Sequence, residues 1–111
     1  MRGIDISELS GGAFDITVGP LVELWGFGAS NSINAVPTQA EIDSILKITG
    51  FNYLEVQSSP PAVRRTQPGV RLDLSSIAKG FAVDEISALL DSFGLPAYMV
   101  EIGGEVRARG M

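Results

Sequence analysis

Residues 73–84 read Asp-Leu-Ser-Ser-Ile-Ala-Lys-Gly-Phe-Ala-Val-Asp, which sets a carboxylate, two hydroxyls and a cation at close spacing. A short apolar run (Val70, Leu72, Leu74) leads into Ser75 and Ser76, and Lys79 lies one turn inside the helix that the pattern predicts. The start of a helix offers unpaired backbone N–H groups, which suit an anion such as phosphate. Carbonyl oxygens in the same turn suit a hard cation such as magnesium. Each residue also has a plainer reading. Asp73 is either a cap for the turn at Ser75 or a polar anchor at the carboxyl end of a strand, where many sheet-plus-helix folds bind ligands. Ser75 or Ser76 caps the helix with no further duty. Lys79 is either a solvated helix residue or a contact for the bound anion. Gly80 costs a helix interior roughly 1 kcal/mol relative to alanine, which suggests that something large approaches the backbone there.

A second stretch, residues 10–28, reads Ser-Gly-Gly-Ala-Phe-Asp-Ile-Thr-Val-Gly-Pro-Leu-Val-Glu-Leu-Trp-Gly-Phe-Gly. Glycines bracket Phe14 and Asp15 and permit tight turns and close ligand approach. Phe14 beside a carboxylate suits a planar ring, although spacing alone makes Phe14, Trp25 and Phe27 core residues. Gly103-Gly104, taken alone, is a plain turn or bulge.

Composition narrows the chemistry. The 111 residues allow a single domain, and 45% hydrophobic content is enough for a packed core. A net charge of −5, with scattered arginines, argues against a nucleic-acid backbone as partner. The chain has no cysteine and no histidine, so disulfides, thiolate zinc sites and imidazole bases are absent. A metal held by these residues must bind oxygen, which favours magnesium or calcium. No apolar run is long enough to span a membrane, and the N-terminus lacks the apolar region of a signal peptide.

The elements that must position these groups follow from pattern. Residues 1–10 read as the tail of a helix broken by Gly11 and Gly12. Residues 14–17 read as extended, and Pro20 opens a short helix that ends near Gly26. Residues 29–36 form a polar loop. Thr38 and Glu41 make a capping box for a helix whose stripe of Ile42, Ile45 and Leu46 packs on a sheet, with Gly50 near its end. Residues 53–56 read as a strand and 58–61 as a turn. Residues 63–65 and 70–74 are expected to pair as a hairpin around Gln67-Pro68-Gly69. A long helix over 76–93 buries one face through Ile77, Phe81, Ile86, Leu89, Leu90 and Phe93, and stops at Gly94. Strands at 98–102 and 105–109 flank Gly103-Gly104. The class is α+β, with a mixed, largely antiparallel sheet and packed helices.

Residues 10–28 and 73–84 closely resemble two motifs of the ApbE-type flavin transferases, a family once called thiamine biosynthesis lipoproteins. Val100-Glu101-Ile102-Gly103-Gly104-Glu105-Val106 resembles that family's next motif, in the same order, and Trp25-Gly26-Phe27-Gly28 fits as well. The resemblance covers almost the whole chain. It implies an enzyme that uses FAD and magnesium, cleaves the FAD pyrophosphate, and transfers FMN to a serine or threonine hydroxyl of a target protein. Some members mainly hydrolyse FAD to FMN and AMP. Such phosphoryl transfer depends on positioning and charge neutralisation more than on a histidine.

By the same resemblance Ala13, Phe14 and Asp15 contact FAD, Asp73 binds its adenosine part, and Lys79 lies beside the nucleotide. Ser76 occupies the position whose oxygen reaches magnesium; family members vary there, which points to its backbone carbonyl. No catalytic residue is assigned. The family's members are longer, with a signal and lipid-attachment segment before this region and further magnesium carboxylates after it. The expectation is therefore a single partial domain over residues 1–111, periplasmic or inner-membrane-anchored, with parts of the family domain absent on both sides. Two other readings stand beside transfer: a non-catalytic FAD-binding module, and a homo-oligomer formed through the exposed strand at 105–109.

Overall fold

The computed structural model describes residues 1–27 and 36–110. The loop expected over 29–36 lies, apart from Val36, outside the described residues, as does Gly28. The chain divides into two compact units, residues 1–73 and 74–111. Helices and antiparallel strands mix in both, as the α+β class requires.

The first unit begins with α1 (Arg2–Leu9), which ends at Ser10 ahead of Gly11 and Gly12. Helix α2 (Gly19–Leu24) carries Pro20 in its first turn, where the missing N–H is harmless. Helix α3 (Gln39–Leu46) has the full capping box: Glu41 N–H donates to Thr38 Oγ1 at 3.2 Å, and Thr38 N–H donates to Glu41 Oε2 at 2.8 Å. The backbone hydrogen bond from Thr38 is the larger cause that holds the Glu41 carboxyl below its ordinary value. A single 3-10 turn, Phe51–Tyr53, leads into β1 (Leu54–Ser58), which pairs antiparallel with β2 (Pro61–Arg65).

Three expectations in this unit are corrected. Residues 14–17 are not extended, because the Asp15 side chain captures the Thr17 N–H and bends the backbone into a turn. Helix α3 packs on α2 rather than on a sheet. The hairpin partner of residues 63–65 is β1, not residues 70–74, which form no strand. The backbone of that segment is engaged elsewhere: Val70 N–H donates to Gln67 O at 3.4 Å, Val70 O accepts from Arg65 at 3.1 Å, and Asp73 N–H donates to Ile16 O at 2.7 Å.

The second unit is one helix on one hairpin. Helix α4 (Ser75–Ser92) packs against β3 (Tyr98–Ile102) and β4 (Glu105–Arg109), which pair antiparallel. Leu74 holds the N-cap and cannot bond through its side chain, so neither Ser75 nor Ser76 is the cap. Gly94 ends the helix in the left-handed conformation (φ 71°) that this position favours. The buried face of α4 is carried by Val83 and Ser87, whose Oγ donates back to Val83 O at 2.7 Å. The expected apolar stripe splits. Ile77 and Leu90 are half-buried, whereas Phe81, Ile86, Leu89 and Phe93 are exposed, Phe93 to 71%. A two-stranded hairpin is too narrow to cover so broad an apolar arc.

Candidate functional site

The loop after α1 is held by one carboxylate. Asp15 Oδ1 accepts from Thr17 N–H at 2.8 Å and from Thr17 Oγ1 at 2.6 Å, while Oδ2 accepts from Phe51 N–H at 3.0 Å. Thr17 is fully buried, and its Oγ1 accepts from Gly50 N–H at 2.7 Å. The 13–18 loop is thereby tied to the segment that precedes β1. Sequence reading missed Thr17; the Asp-x-Thr spacing of a side-chain-capped turn was the available signal. Ala13 is exposed and Phe14 half-buried, so both remain presented on the rim of this loop. Phe14 N–H donates to Ser10 Oγ at 3.0 Å, which fixes the entry to the turn.

Asp73 joins the same place. Its N–H donates to Ile16 O at 2.7 Å, and its side chain lies over Gly19 at the start of α2. A Cβ at Gly19 would sit 3.3 Å from Asp73 Cβ, so the glycine leaves room for the aspartate. Four of the expected residues (Ala13, Phe14, Asp15 and Asp73) therefore gather within the first unit. The strand expected to present Asp73 is absent; the Ile16 carbonyl does that work instead.

Ser76 and Lys79 both stand exposed on α4 in the second unit, three residues apart and so on neighbouring positions of one helix face. Lys79 Nζ donates to Gly103 O at 3.2 Å. Gly103, read from sequence as a plain turn residue, thus touches an expected site residue.

Among the described residues no three histidine, cysteine, aspartate or glutamate side chains cluster closely enough to hold a metal ion. Ser76 supplies oxygen atoms but no formal charge. An open groove of about 410 Å³ lies in the first unit along Leu54, Val63, Arg65, Val70, Arg71 and Leu72. It contains none of the expected site residues, and both guanidiniums are engaged, Arg65 with Val70 O and Arg71 with Glu23 at 2.6 Å.

The ApbE family model matches residues 1–111. The chain is 44% identical over 110 residues to the FAD:protein FMN transferase of Vibrio cholerae, an alignment covering 99% of this chain and 32% of that protein. It is 39% identical over 108 residues to the protein of the same name from Escherichia coli strain K12, covering 96% and 31%. Among solved structures, flavin transferase ApbE from Vibrio cholerae superimposes with a TM-score of 0.92 at 43% identity, over 99% of this chain and 35% of that one. The apo flavinyl transferase ApbE of Pseudomonas stutzeri gives a TM-score of 0.90 at 37% identity, over 98% and 36%. The chain spans about a third of the length of the curated relatives it matches.

Proposed function

The chain belongs to the ApbE family, and on that footing we propose that it is the central part of a flavin transferase domain that moves FMN from FAD to a protein. In this reaction an acceptor hydroxyl, of serine or threonine, attacks the FMN phosphorus. The pyrophosphate bond breaks, AMP leaves with the bonding electrons, and the hydroxyl proton is lost as the phosphoester forms. Relatives named FAD:protein FMN transferase support FAD as substrate and a protein as acceptor.

The observation that carries the reading is the tie between Asp73 and the loop that follows Ala13, Phe14 and Asp15, made by the Asp73 N–H on the Ile16 carbonyl at 2.7 Å. In this proposal Phe14 lies against a ring of FAD, Asp73 accepts from its adenosine, and Lys79 faces its diphosphate. A fixed set of polar groups around a flexible dinucleotide lowers the barrier chiefly by orientation. Asp15 acts through the loop it braces, since both of its oxygens already accept hydrogen bonds. Transfer in the family-length protein is proposed to require magnesium, with Ser76 contributing one oxygen. The remaining ligands then come from outside the described residues. The two units are proposed to be parts of one family domain, working in the periplasm or at the inner membrane, a location that rests on the sequence resemblance alone.

A chimera tests the proposal. Residues 1–111 replace the matching third of the Vibrio cholerae relative, and flavin transfer to a protein acceptor is measured with and without magnesium. The expected result is transfer that Asp73→Ala abolishes while the fold, read by circular dichroism, persists. A folded chimera that transfers equally well with Asp73→Ala sinks the assignment. Metal-independent FAD binding with no AMP release would favour the non-catalytic module, and AMP release without protein labelling would favour FAD hydrolysis.

A further inference from the structure

We propose that Gly103 is a positioning residue for Lys79, keeping its ammonium in the attitude from which it meets the diphosphate of a bound flavin nucleotide. The inference rests on the reading of Lys79 as a nucleotide contact and deepens it. Lysine carries a compact charge on a flexible four-carbon stem, so an exposed lysine spreads over many rotamers unless something gathers it. Lys79 is exposed on α4, yet its Nζ donates to the Gly103 carbonyl at 3.2 Å, across 24 residues of sequence. The stem also lies on the glycine itself. A Cβ at Gly103 would stand 2.9 Å from Nζ, 3.0 Å from Cε and 3.1 Å from Cδ of Lys79. Three successive side-chain atoms therefore run along a surface that exists because the residue has no side chain.

The neighbouring glycine sharpens the point. Gly103 and Gly104 both adopt left-handed backbone, with φ of 56° and 97°. Backbone geometry thus accounts for glycine at both positions. A Cβ at Gly104, however, would meet nothing within 4 Å. The lysine stem therefore lies against Gly103 and not against Gly104. The turn is held by Glu101, whose Oε1 accepts from Gly104 N–H at 2.5 Å.

The acceptor is a neutral carbonyl, which leaves the charge of the lysine intact. An ammonium has three donors, and one of them is used here. Within its own unit, among the described residues, no carboxylate forms an ion pair with Lys79. The charge is steered without being neutralised, as an anion contact requires.

The test separates the turn from the nucleotide. The chain has two lysines, Lys47 and Lys79, so side-chain NMR of ε-labelled lysine gives two assignable signals. Gly103→Ala is expected to move the Lys79 signal toward that of a freely rotating lysine, and Gly104→Ala, which strains the same turn, to move it far less. FAD affinity is then measured in the chimera. Lys79→Met is expected to weaken binding roughly tenfold, the loss of one charge-assisted contact. Gly103→Ala should weaken it comparably, and should add nothing when Lys79 is already Met. A Lys79 signal that Gly103→Ala leaves in place overturns the proposal, as does further weakening by Gly103→Ala on the Lys79→Met background. If Lys79→Met leaves FAD affinity unchanged, the nucleotide contact itself falls and the proposal falls with it. The NMR comparison tells that failure apart from a turn that never held the lysine.

Discussion

Asp15 accepts three hydrogen bonds, two from Thr17 beside it and one from Phe51, 36 residues away, and this multiplicity sets what its substitution does. Removing the carboxylate orphans the Phe51 and Thr17 N–H groups beside a fully buried threonine. Asp15→Ala is therefore expected to destabilise the chain by about 2 kcal/mol, the scale of a lost charge-assisted bond with an unsatisfied donor left behind. Asp15→Asn keeps one acceptor oxygen and should lose less. Urea midpoints of the two variants check this order, and a wild-type midpoint for Asp15→Ala would show that the loop is held by something else. FAD binding by the alanine variant then reports folding rather than contact, which is why Asp73 is the better probe of the site. Asp73 reaches the loop through its backbone N–H, a bond that survives removal of its side chain.

At the scale of elements, the pairing of α4 with its hairpin is tied down at the middle of the helix and at its C-terminal end. Asp91 accepts from the Tyr98 hydroxyl at 2.9 Å and from the Arg109 guanidinium, and Arg107 donates to Asp84 at 2.7 Å. The bond from Arg109 is the largest cause that holds the Asp91 carboxyl below its ordinary value, with Tyr98 second. Burial, and then the hydrogen bond to Asp91, push the Tyr98 hydroxyl up, so it stays protonated and donating. A carboxyl whose pKa is lower folded than unfolded stabilises the fold above the unfolded value of about 4, and that contribution is lost as pH falls through the lowered value. Melting temperature is expected to drop between pH 5 and pH 2 on the order of this window, and Asp91→Asn should flatten the drop while lowering stability at pH 6. The Glu41 carboxyl is also held below its ordinary value, by its cap on α3, so the difference between wild type and Asp91→Asn is the informative curve. Identical curves would show that the Arg109 pair contributes nothing. Raised salt should shrink the effect, because Arg109 is exposed and Asp91 only half-buried.

At the scale of the whole molecule, burial is sparse. Among the described residues the buried apolar side chains are Ile16, Pro20 and Val70 in the first unit and Val83 and Val100 in the second. Phe27, Phe81, Phe93 and Met99 are all more than half exposed. Among the described residues each sheet has two strands, and β4 has β3 as its strand neighbour. Narrow sheets with open edges and uncovered apolar side chains favour association. The isolated chain is expected to associate with itself as concentration rises, measured by sedimentation equilibrium. A monomer at high concentration would end the proposal that β4 pairs with a second copy.

Local grammar was readable without coordinates. The capping box of Thr38 and Glu41, the stop at Gly94, the strands around Gly103-Gly104 and the family motifs all depend on neighbours close in sequence, and such signals survive in a linear string. What the string could not carry was which distant groups would satisfy each backbone. Residues 70–74 had a strand's composition, yet Ile16, Gln67 and Arg65 took up their hydrogen bonds and left them irregular. Helix α4 had an apolar stripe, yet the narrow hairpin covered the Val83–Ser87 side and left Phe81 and Phe93 outside. Asp15 as a brace and Gly103 as a track for Lys79 likewise required partners tens of residues away. Residue type and spacing determined the chemistry on offer; competition among remote donors, acceptors and surfaces decided where each group was spent.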